Sequence, residues 1–167
     1  MKILYSDQTN PIGASSSTRY LDANLFCCTN TYLSPSVGGS FTGTIWVLES
    51  GGVIGGVQQY KLRNTAAKYV GAETVNIYLT CDFETLDVIL GPSTPNNSHQ
   101  SSRWTAILND YGDYSFQCQS DNPLITGQWF IDAMVFPNQG RALGSVYLSP
   151  SNSPSYSGTH WYVSNLV

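Results

Sequence analysis

The chain of 167 residues has a formal net charge of −4 and a charged fraction of only 11%, against about 25% in typical domains. This length predicts one domain that is large enough to bury a substantial core. The seven basic residues are dispersed along the chain, which argues against nucleic-acid binding because that function needs a concentrated basic surface.

The N-terminal stretch MKILYSDQTNP carries one lysine and a short apolar patch. A signal peptide needs a longer apolar run, and no segment approaches the roughly 18 apolar residues of a membrane-spanning helix. We therefore expect a protein that has no membrane partner and is made and released in the cytoplasm.

Turn-forming residues recur along the chain and separate short segments in which apolar and polar residues alternate. This period of two predicts strands that are buried on one face. In chain order, the predicted strands lie near 2–5, 24–28, 41–48, 57–62, 74–81, 86–90, 103–109, 113–119, 128–136, 142–148 and 159–167. The best helix candidate, NTAAKYVGAE, is interrupted by Gly71, so we expect one helical turn there at most.

Many short antiparallel strands in one domain favour an all-β protein, and specifically an antiparallel β-sandwich of the jelly-roll type. No internal repeat is recognised, which argues against a propeller or a solenoid. Residues 1–23 are interpreted as an N-terminal edge strand or as an arm on a neighbouring subunit. Residues 24–167 are interpreted as the sandwich domain.

The four cysteines, Cys27, Cys28, Cys81 and Cys118, form no C-x-x-C motif, and only two histidines are present to complete a metal set. We therefore predict neither a zinc site nor a cofactor. Cys81 and Cys118 form either a disulfide or two buried thiols, and the thiols are favoured because nothing indicates export.

Catalytic patterns are not recognised in this sequence. His99 lies in the polar loop GPSTPNNSHQSSR and His160 begins the last predicted strand, but neither accompanies a recognisable nucleophile turn. Asp82 and Glu84 share one side of CDFETLD and could bind calcium, although a solvated bend between strands is the preferred explanation. We expect no enzymatic activity and no metal site.

The segment QWFIDAMVF places a single carboxylate in an apolar strand. One face of this strand is assigned to the core, and the other face carries Phe130, Asp132, Met134 and Phe136. Three large apolar side chains on one face usually mark a contact surface, so this face is predicted to be an interface, covered by another loop of the chain or by a second subunit. An unpaired buried carboxylate is costly, so Asp132 is interpreted as structural, with Arg141 as a candidate partner.

QWFIDAMVF and SGTHWYVSNLV resemble the late strands of galactose-binding-like jelly rolls. Asp132 matches the acidic position of the first segment, whereas Ser164 and Asn165 stand where the last strand of that family carries an acid. In its composition, rich in Ser, Thr, Asn and Gly, the chain also resembles bacteriophage virion proteins such as capsid decoration (cement) proteins and tail-fibre heads. That resemblance implies a homotrimeric β-sandwich that binds a major capsid or tail protein.

The preferred hypothesis is a non-enzymatic virion structural protein, a capsid decoration or fibre-head subunit that stabilises the particle through oligomeric contacts and is assembled in the host cytoplasm. The alternative is a carbohydrate-binding, lectin-like module that stacks aromatic rings on sugar faces. Its candidate glycan-binding residues are Trp104, Tyr111, Tyr156, Trp161, Asn97 and His99. Most of these aromatic residues are explained equally well as core or interface residues.

Overall fold

The computed structural model describes residues 2–6, 19–23, 30–34, 42–65, 77–134, 144–152 and 157–165. Within these residues the chain is all-β, with thirteen strands, short 3-10 turns and no α-helix, which confirms the predicted class. The strands are β1 (Lys2–Ser6), β2 (Arg19–Ala23), β3 (Thr31–Ser34), β4 (Trp46–Ile54), β5 (Val57–Asn64), β6 (Tyr78–Asp82), β7 (Asp87–Gly91), β8 (Gln100–Ser101), β9 (Arg103–Leu108), β10 (Tyr114–Gln119), β11 (Phe130–Ala133), β12 (Val146–Ser149) and β13 (Tyr162–Asn165). In this described part of the chain, no helix is long and apolar enough to cross a membrane.

Six of these strands close an antiparallel barrel. The hairpins β4–β5 and β9–β10 and the pair β13–β1 form three two-stranded ribbons. Neighbouring ribbons are joined by the pairing of β5 with β9, of β1 with β4, and of Tyr114 in β10 with Trp161 just before β13. Closure of a sheet on itself removes the open edges at which another strand could add.

Three further hairpins, β2–β3, β6–β7 and β11–β12, lie at one end of this barrel. The first strand of each hairpin pairs with a barrel strand toward the C-terminal end of that strand. β2 pairs with β1, β6 with β5, and β11 with β10. Their second strands contact one another through isolated bridges and through the pairing of β12 with β7. The hydrogen-bonded network thereby also closes a ring of seven antiparallel strands, formed by β5, β9, β10, β11, β12, β7 and β6.

The described strands repeat one unit three times. The first unit is β2–β5, the second is β6–β10, and the third is β11–β13 completed by β1 from the other end of the chain. Six barrel strands and three hairpins about a pseudo-threefold axis are the arrangement of a β-trefoil. The expectation that no internal repeat exists is therefore wrong, and the finer prediction of a jelly-roll sandwich is not confirmed, because the strands close a barrel instead of two open layers.

The repeat is visible in the sequence once the strands are superimposed. Each unit contains an aromatic–aliphatic dipeptide in its first strand, then Leu followed by Ser or Gly, Pro and Ser, and finally a tryptophan. The three copies read YLDA, LSPS and GTIW, then YLTC, LGPS and SSRW, then FIDA, LSPS and GTHW. Loops of different length separate these short matches, which is why the period is hard to recognise without the structure.

One tryptophan from each unit lies at the centre of the core. Trp46, Trp104 and Trp161 are all 0% exposed. Each indole Nε1 donates to the backbone carbonyl of the aliphatic residue in the first strand of its own unit. The acceptors are Leu21 (3.0 Å), Leu79 (3.0 Å) and Ile131 (3.1 Å). These bonds satisfy a polar group that would otherwise be costly to bury.

A disulfide joins Cys81 of β6 to Cys118 of β10, with Cα atoms 6.6 Å apart. Both residues are buried, and the bond connects a hairpin strand with a barrel strand of the same unit. The preference for two free thiols is therefore wrong. That preference used only the lack of an export signal, which carries no information on the distance between the two side chains. Cys27 and Cys28 lie outside the described residues.

The N-terminal strand belongs to the barrel. β1 pairs with β13 along its length and also with β2 and β4, so it is not an edge strand. Because β1 completes the third unit, the proposed division after residue 23 does not coincide with a structural boundary among the described strands. The strand expected at 24–28 and the helical turn expected around Gly71 lie outside the described residues.

Candidate functional site

Three of the four residues predicted to form a subunit interface are buried within the single chain. Phe130, Asp132 and Met134 are 2%, 3% and 5% exposed in the single chain, and Phe136 lies outside the described residues. Strand β12 and the turn at Gly158 pack against β11. For the three described residues the cover is therefore the chain itself, and the apolar surface on which the interface prediction depended is not exposed.

The carboxylate of Asp132 is buried directly against Gly158 and has a structural role. It accepts hydrogen bonds from the side chains of Tyr147 and Ser149 and from the backbone of Ala133. Burial outweighs these bonds and raises the pKa of Asp132 from its ordinary 3.8 to about 6. A Cβ atom on Gly158 would overlap Oδ1 of Asp132 and the backbone of Ala133, so only glycine fits at this position.

Asp22 occupies the equivalent place in the first unit. The side chains of Tyr32 and Ser34 donate to it, burial raises its pKa, and Gly43 lies over its Oδ1 atom. The second unit has Thr80 at this position, paired in the same register with the next strand. The two carboxylates are thus repeated elements of the fold, which favours a structural role over a catalytic one.

The aromatic glycan-binding candidates are mostly not available to a ligand. Trp104 and Trp161 are fully buried and cannot stack on a sugar, so their assignment to a binding site is corrected to the core. Tyr111 is 76% exposed, in the turn between β9 and β10. Tyr156, and also Arg141 as the expected partner of Asp132, lie outside the described residues.

Asn97 lines a cleft of about 550 Å³ between the β7–β8 loop and the β10–β11 loop. Its lining combines amide, hydroxyl and carboxylate groups with the apolar surface of Pro95, Pro123 and Leu124. The polar groups come mainly from Asn96, Asn97, Ser98, Gln100, Asp121 and Asn122. His99 belongs to the first of these loops and is exposed, but it does not line the cleft.

Local hydrogen bonds fix both loops. Oδ1 of Asn97 accepts from the backbone N–H of His99 at 2.9 Å, and Oδ1 of Asn122 accepts from the backbone N–H of Leu124 at 3.0 Å. Such bonds from an Asn side chain to the backbone two residues later stabilise turns. Nδ2 of Asn122 also donates to the carbonyl of Ser98 at 3.3 Å. The two walls of the cleft are therefore joined before any ligand binds.

Asp82 holds Gln100, one of the residues that line the cleft. Its Oδ2 accepts from Nε2 of Gln100 at 2.7 Å, while its Oδ1 accepts from the backbone N–H groups of Glu84 and Thr85 at 2.9 and 3.3 Å. These bonds use both oxygens to shape the β6–β7 turn and to orient Gln100. Among the described residues, no group of three or more His, Cys, Asp or Glu is arranged to hold a metal ion.

A smaller recess of about 220 Å³ adjoins the cleft and shares Asp121 with it. Lys61 of β5 and Arg103 of β9 both line this recess. Nζ of Lys61 donates to the carbonyl of Ser93 at 2.5 Å, and Oγ of Ser102 donates to the same carbonyl at 2.6 Å. Arg103 forms a salt bridge with Asp121. The recess therefore carries two cations and one exposed acid.

A pair formed by buried Asp113 and partly buried His160 lies outside the cleft. Nδ1 of His160 is 3.0 Å from both carboxylate oxygens of Asp113, and Nδ2 of Asn109 donates to Asp113 at 2.5 Å. His160 was expected to begin the last strand, whereas it lies just before β13 and connects this segment to the β9–β10 turn. The arrangement links the second unit to the third.

Sequence reasoning found one wall of the cleft and missed the rest. The polar loop GPSTPNNSHQSSR supplied the candidate Asn97, whereas Asp121 and Asn122 of the β10–β11 loop were not singled out. Lys61, Arg103 and Asp121 come from three distant segments, which the pairing of β5 with β9 and the β10–β11 connection bring together. No local pattern in the sequence signals that proximity.

Comparison with known proteins gives no assignment for this chain. No family model matches the sequence, and no curated protein matches it at significant similarity. The candidate site rests on the geometry of the cleft and the recess.

Proposed function

We propose that the chain is a carbohydrate-binding module without enzymatic activity, and that its ligand occupies the cleft between the β7–β8 and β10–β11 loops. The observation that carries this proposal is the concentration of amide and hydroxyl groups on two loops fixed by their own hydrogen bonds. Neighbouring sugar hydroxyls both donate and accept, and an amide offers both functions from one plane. Pre-formed polar walls also lower the entropy lost on binding.

Several groups in the cleft remain available to a ligand. The side chain of Asn96 has no partner among the described residues, and the same holds for Nδ2 of Asn97 and Oε1 of Gln100. Pro123 and Leu124 supply apolar surface at the rim, and Leu124 is 84% exposed. We expect these two side chains to contact the apolar face of a sugar ring, in the place of the aromatic stack expected from the sequence.

A glycan array followed by calorimetric titration of its best ligand tests this proposal. Asn96→Ala removes an exposed amide that stabilises nothing in the protein, so we expect about tenfold weaker binding, the effect of losing a hydrogen bond worth roughly 1.4 kcal/mol. Tyr111→Ala is the control, because Tyr111 is exposed but lies outside the cleft. The proposal would be overturned if no glycan on the array bound, or if Tyr111→Ala weakened glycan binding and Asn96→Ala did not.

An assembly subunit is the second candidate, because one end of the barrel exposes apolar side chains. Val53, Ile54 and Val57 flank the β4–β5 turn and are 64%, 44% and 48% exposed. Leu108 and Tyr111 flank the β9–β10 turn, which the antiparallel pairing of β5 with β9 places at the same end. Exposed apolar patches are typical of contact surfaces.

This surface is where a virion role would be tested. A homotrimer that contacts a capsid or tail protein stays a prediction. Its proposed contact surface now lies at the β4–β5 and β9–β10 turns instead of on β11. We expect light scattering to give the trimer mass for the unmodified chain and the monomer mass for a Val53→Ser/Val57→Ser variant. A monomer in both cases at high concentration counts against self-association.

A further inference from the structure

We infer that the ligand is an anionic sugar, whose carboxylate or sulfate group enters the recess between Lys61 and Arg103. This inference rests on the carbohydrate-binding function proposed above and adds the chemical class of its ligand. It depends on three features of the recess, namely its charge, the weak neutralisation of that charge and its continuity with the cleft.

Two cationic side chains meet at this recess. Strands β5 and β9 carry three such side chains, Lys61, Arg63 and Arg103. Arg63 is engaged elsewhere, with its Nε 2.6 Å from Oε1 of Glu49. Both of the others line the same recess of about 220 Å³, although they belong to different units. A chain with a net charge of −4 therefore presents a local cationic site.

Neither cation is paired with a buried acid. Nζ of Lys61 contacts a neutral carbonyl. Glu49 lies opposite Lys61 on β4, but its carboxylate bonds to Arg63 and Tyr78. Arg103 pairs with Asp121, whose side chain is 80% exposed. Solvent screens an exposed ion pair and makes it weak, so an incoming anion can replace Asp121 at little cost. The guanidinium group also matches carboxylate and sulfate oxygens with two parallel donors.

The recess opens into the cleft. Pro95, Gln100, Ser101 and Asp121 line both spaces, so one ligand can occupy them together. We place the sugar ring against the amides of the cleft and its charged substituent between the two cations. Thr94 lines the recess with an exposed hydroxyl and offers a further donor to the anion.

The test compares matched neutral, sialylated, uronate-containing and sulfated glycans on one array, followed by calorimetry on the best matched pair. We expect the anionic member to bind about tenfold more tightly than its neutral counterpart, and this preference to weaken as salt is raised. Lys61→Gln and Arg103→Gln should each reduce the preference, while Lys61→Arg should retain it. Tighter binding of the carboxylated glycans would identify the anion as a carboxylate, and tighter binding of the sulfated glycans would identify it as a sulfate.

The outcomes separate this inference from the proposed function. Equal binding of neutral and anionic partners, unchanged in Lys61→Gln, overturns the anionic ligand and leaves the carbohydrate-binding proposal in place. A silent array overturns both. The unfolding midpoint of each variant is measured alongside, and the Lys61→Gln and Lys61→Arg pair decides the question if Arg103→Gln fails to fold.

Discussion

A methyl group on Gly158 would overlap Oδ1 of Asp132, so the turn and the carboxylate pack with no space between them. The same relation holds between Gly43 and Asp22 in the first unit. The turn at Gly158 leads directly to Trp161, whose indole bonds to the carbonyl just before Asp132. Two contacts therefore fasten each of these hairpins to the turn that starts the following barrel strand.

Replacement of Gly158 should be costly because the added atom meets backbone as well as the carboxylate. We expect Gly158→Ala to lower the free energy of unfolding by roughly 2–3 kcal/mol, the range for overpacked sites, as measured by urea denaturation. Gly52→Ala is the control, because open space surrounds Gly52 and only its φ of 94° is unfavourable for alanine. A smaller loss for Gly158→Ala than for Gly52→Ala would contradict the close packing.

Stability should increase as the pH falls from 7 toward 4.5. Below about pH 6 the folded protein holds a proton on Asp132, whose pKa is raised to about 6, whereas the same carboxyl group in the unfolded chain, with its ordinary pKa of 3.8, is still mostly ionised down to pH 4.5. The folded state then binds more protons, so acidification from pH 7 to 4.5 favours folding by about 2 kcal/mol. Asp22 acts in the same direction. Below pH 4.5 the lowered pKa of Glu49 begins to oppose the gain.

The pH effect is assigned to Asp132 by an isosteric change. We expect Asp132→Asn to flatten the dependence of the unfolding free energy on pH between 4.5 and 7. A slope that persists in Asp132→Asn, and also in an Asp22→Asn/Asp132→Asn double variant, would show that other groups produce it.

Alternation of apolar and polar residues predicted the fold class and most of the strands from β4 onward. In β6 it predicted the strand but not its burial, because all five residues are buried and both faces of the strand are covered. The strands β2 and β3 were missed because they are short and follow turn-rich sequence. The architecture, and the recess between Lys61 and Arg103, depend on pairing between strands that are distant in the sequence. The pattern of a single sequence gives no information on such pairing.

The disulfide between Cys81 and Cys118 should make a large contribution to stability. It closes a loop with a sequence separation of 37, for which loop-closure entropy predicts about 3–4 kcal/mol. We expect a Cys81→Ala/Cys118→Ala variant to lose stability of this order in urea denaturation. Thiol labelling of the unfolded, unreduced protein checks the bond directly, because labelling of both residues would show that they are free.

The buried tryptophans provide a test that joins the fold to the proposed site. Trp104→Phe removes the bond from Nε1 to the carbonyl of Leu79, formed at 3.0 Å in the core. Lost packing and an unpaired carbonyl should together cost roughly 2–3 kcal/mol. Trp129→Phe is the matched control, because the Nε1 atom of Trp129 bonds at 3.3 Å to the exposed carbonyl of Thr126, and it should cost less than about 1 kcal/mol.

The same variant separates the two roles suggested for Trp104. If Trp104 is a core residue, the folded fraction of Trp104→Phe should bind the selected glycan with unchanged affinity, even though its unfolding midpoint is lower. Asn96→Ala should show the reverse, with weaker binding and unchanged stability, because Asn96 makes no bond within the described protein. Weaker glycan binding by fully folded Trp104→Phe would indicate that Trp104 contributes to the binding site. It would count against a site formed by the amide groups of the cleft.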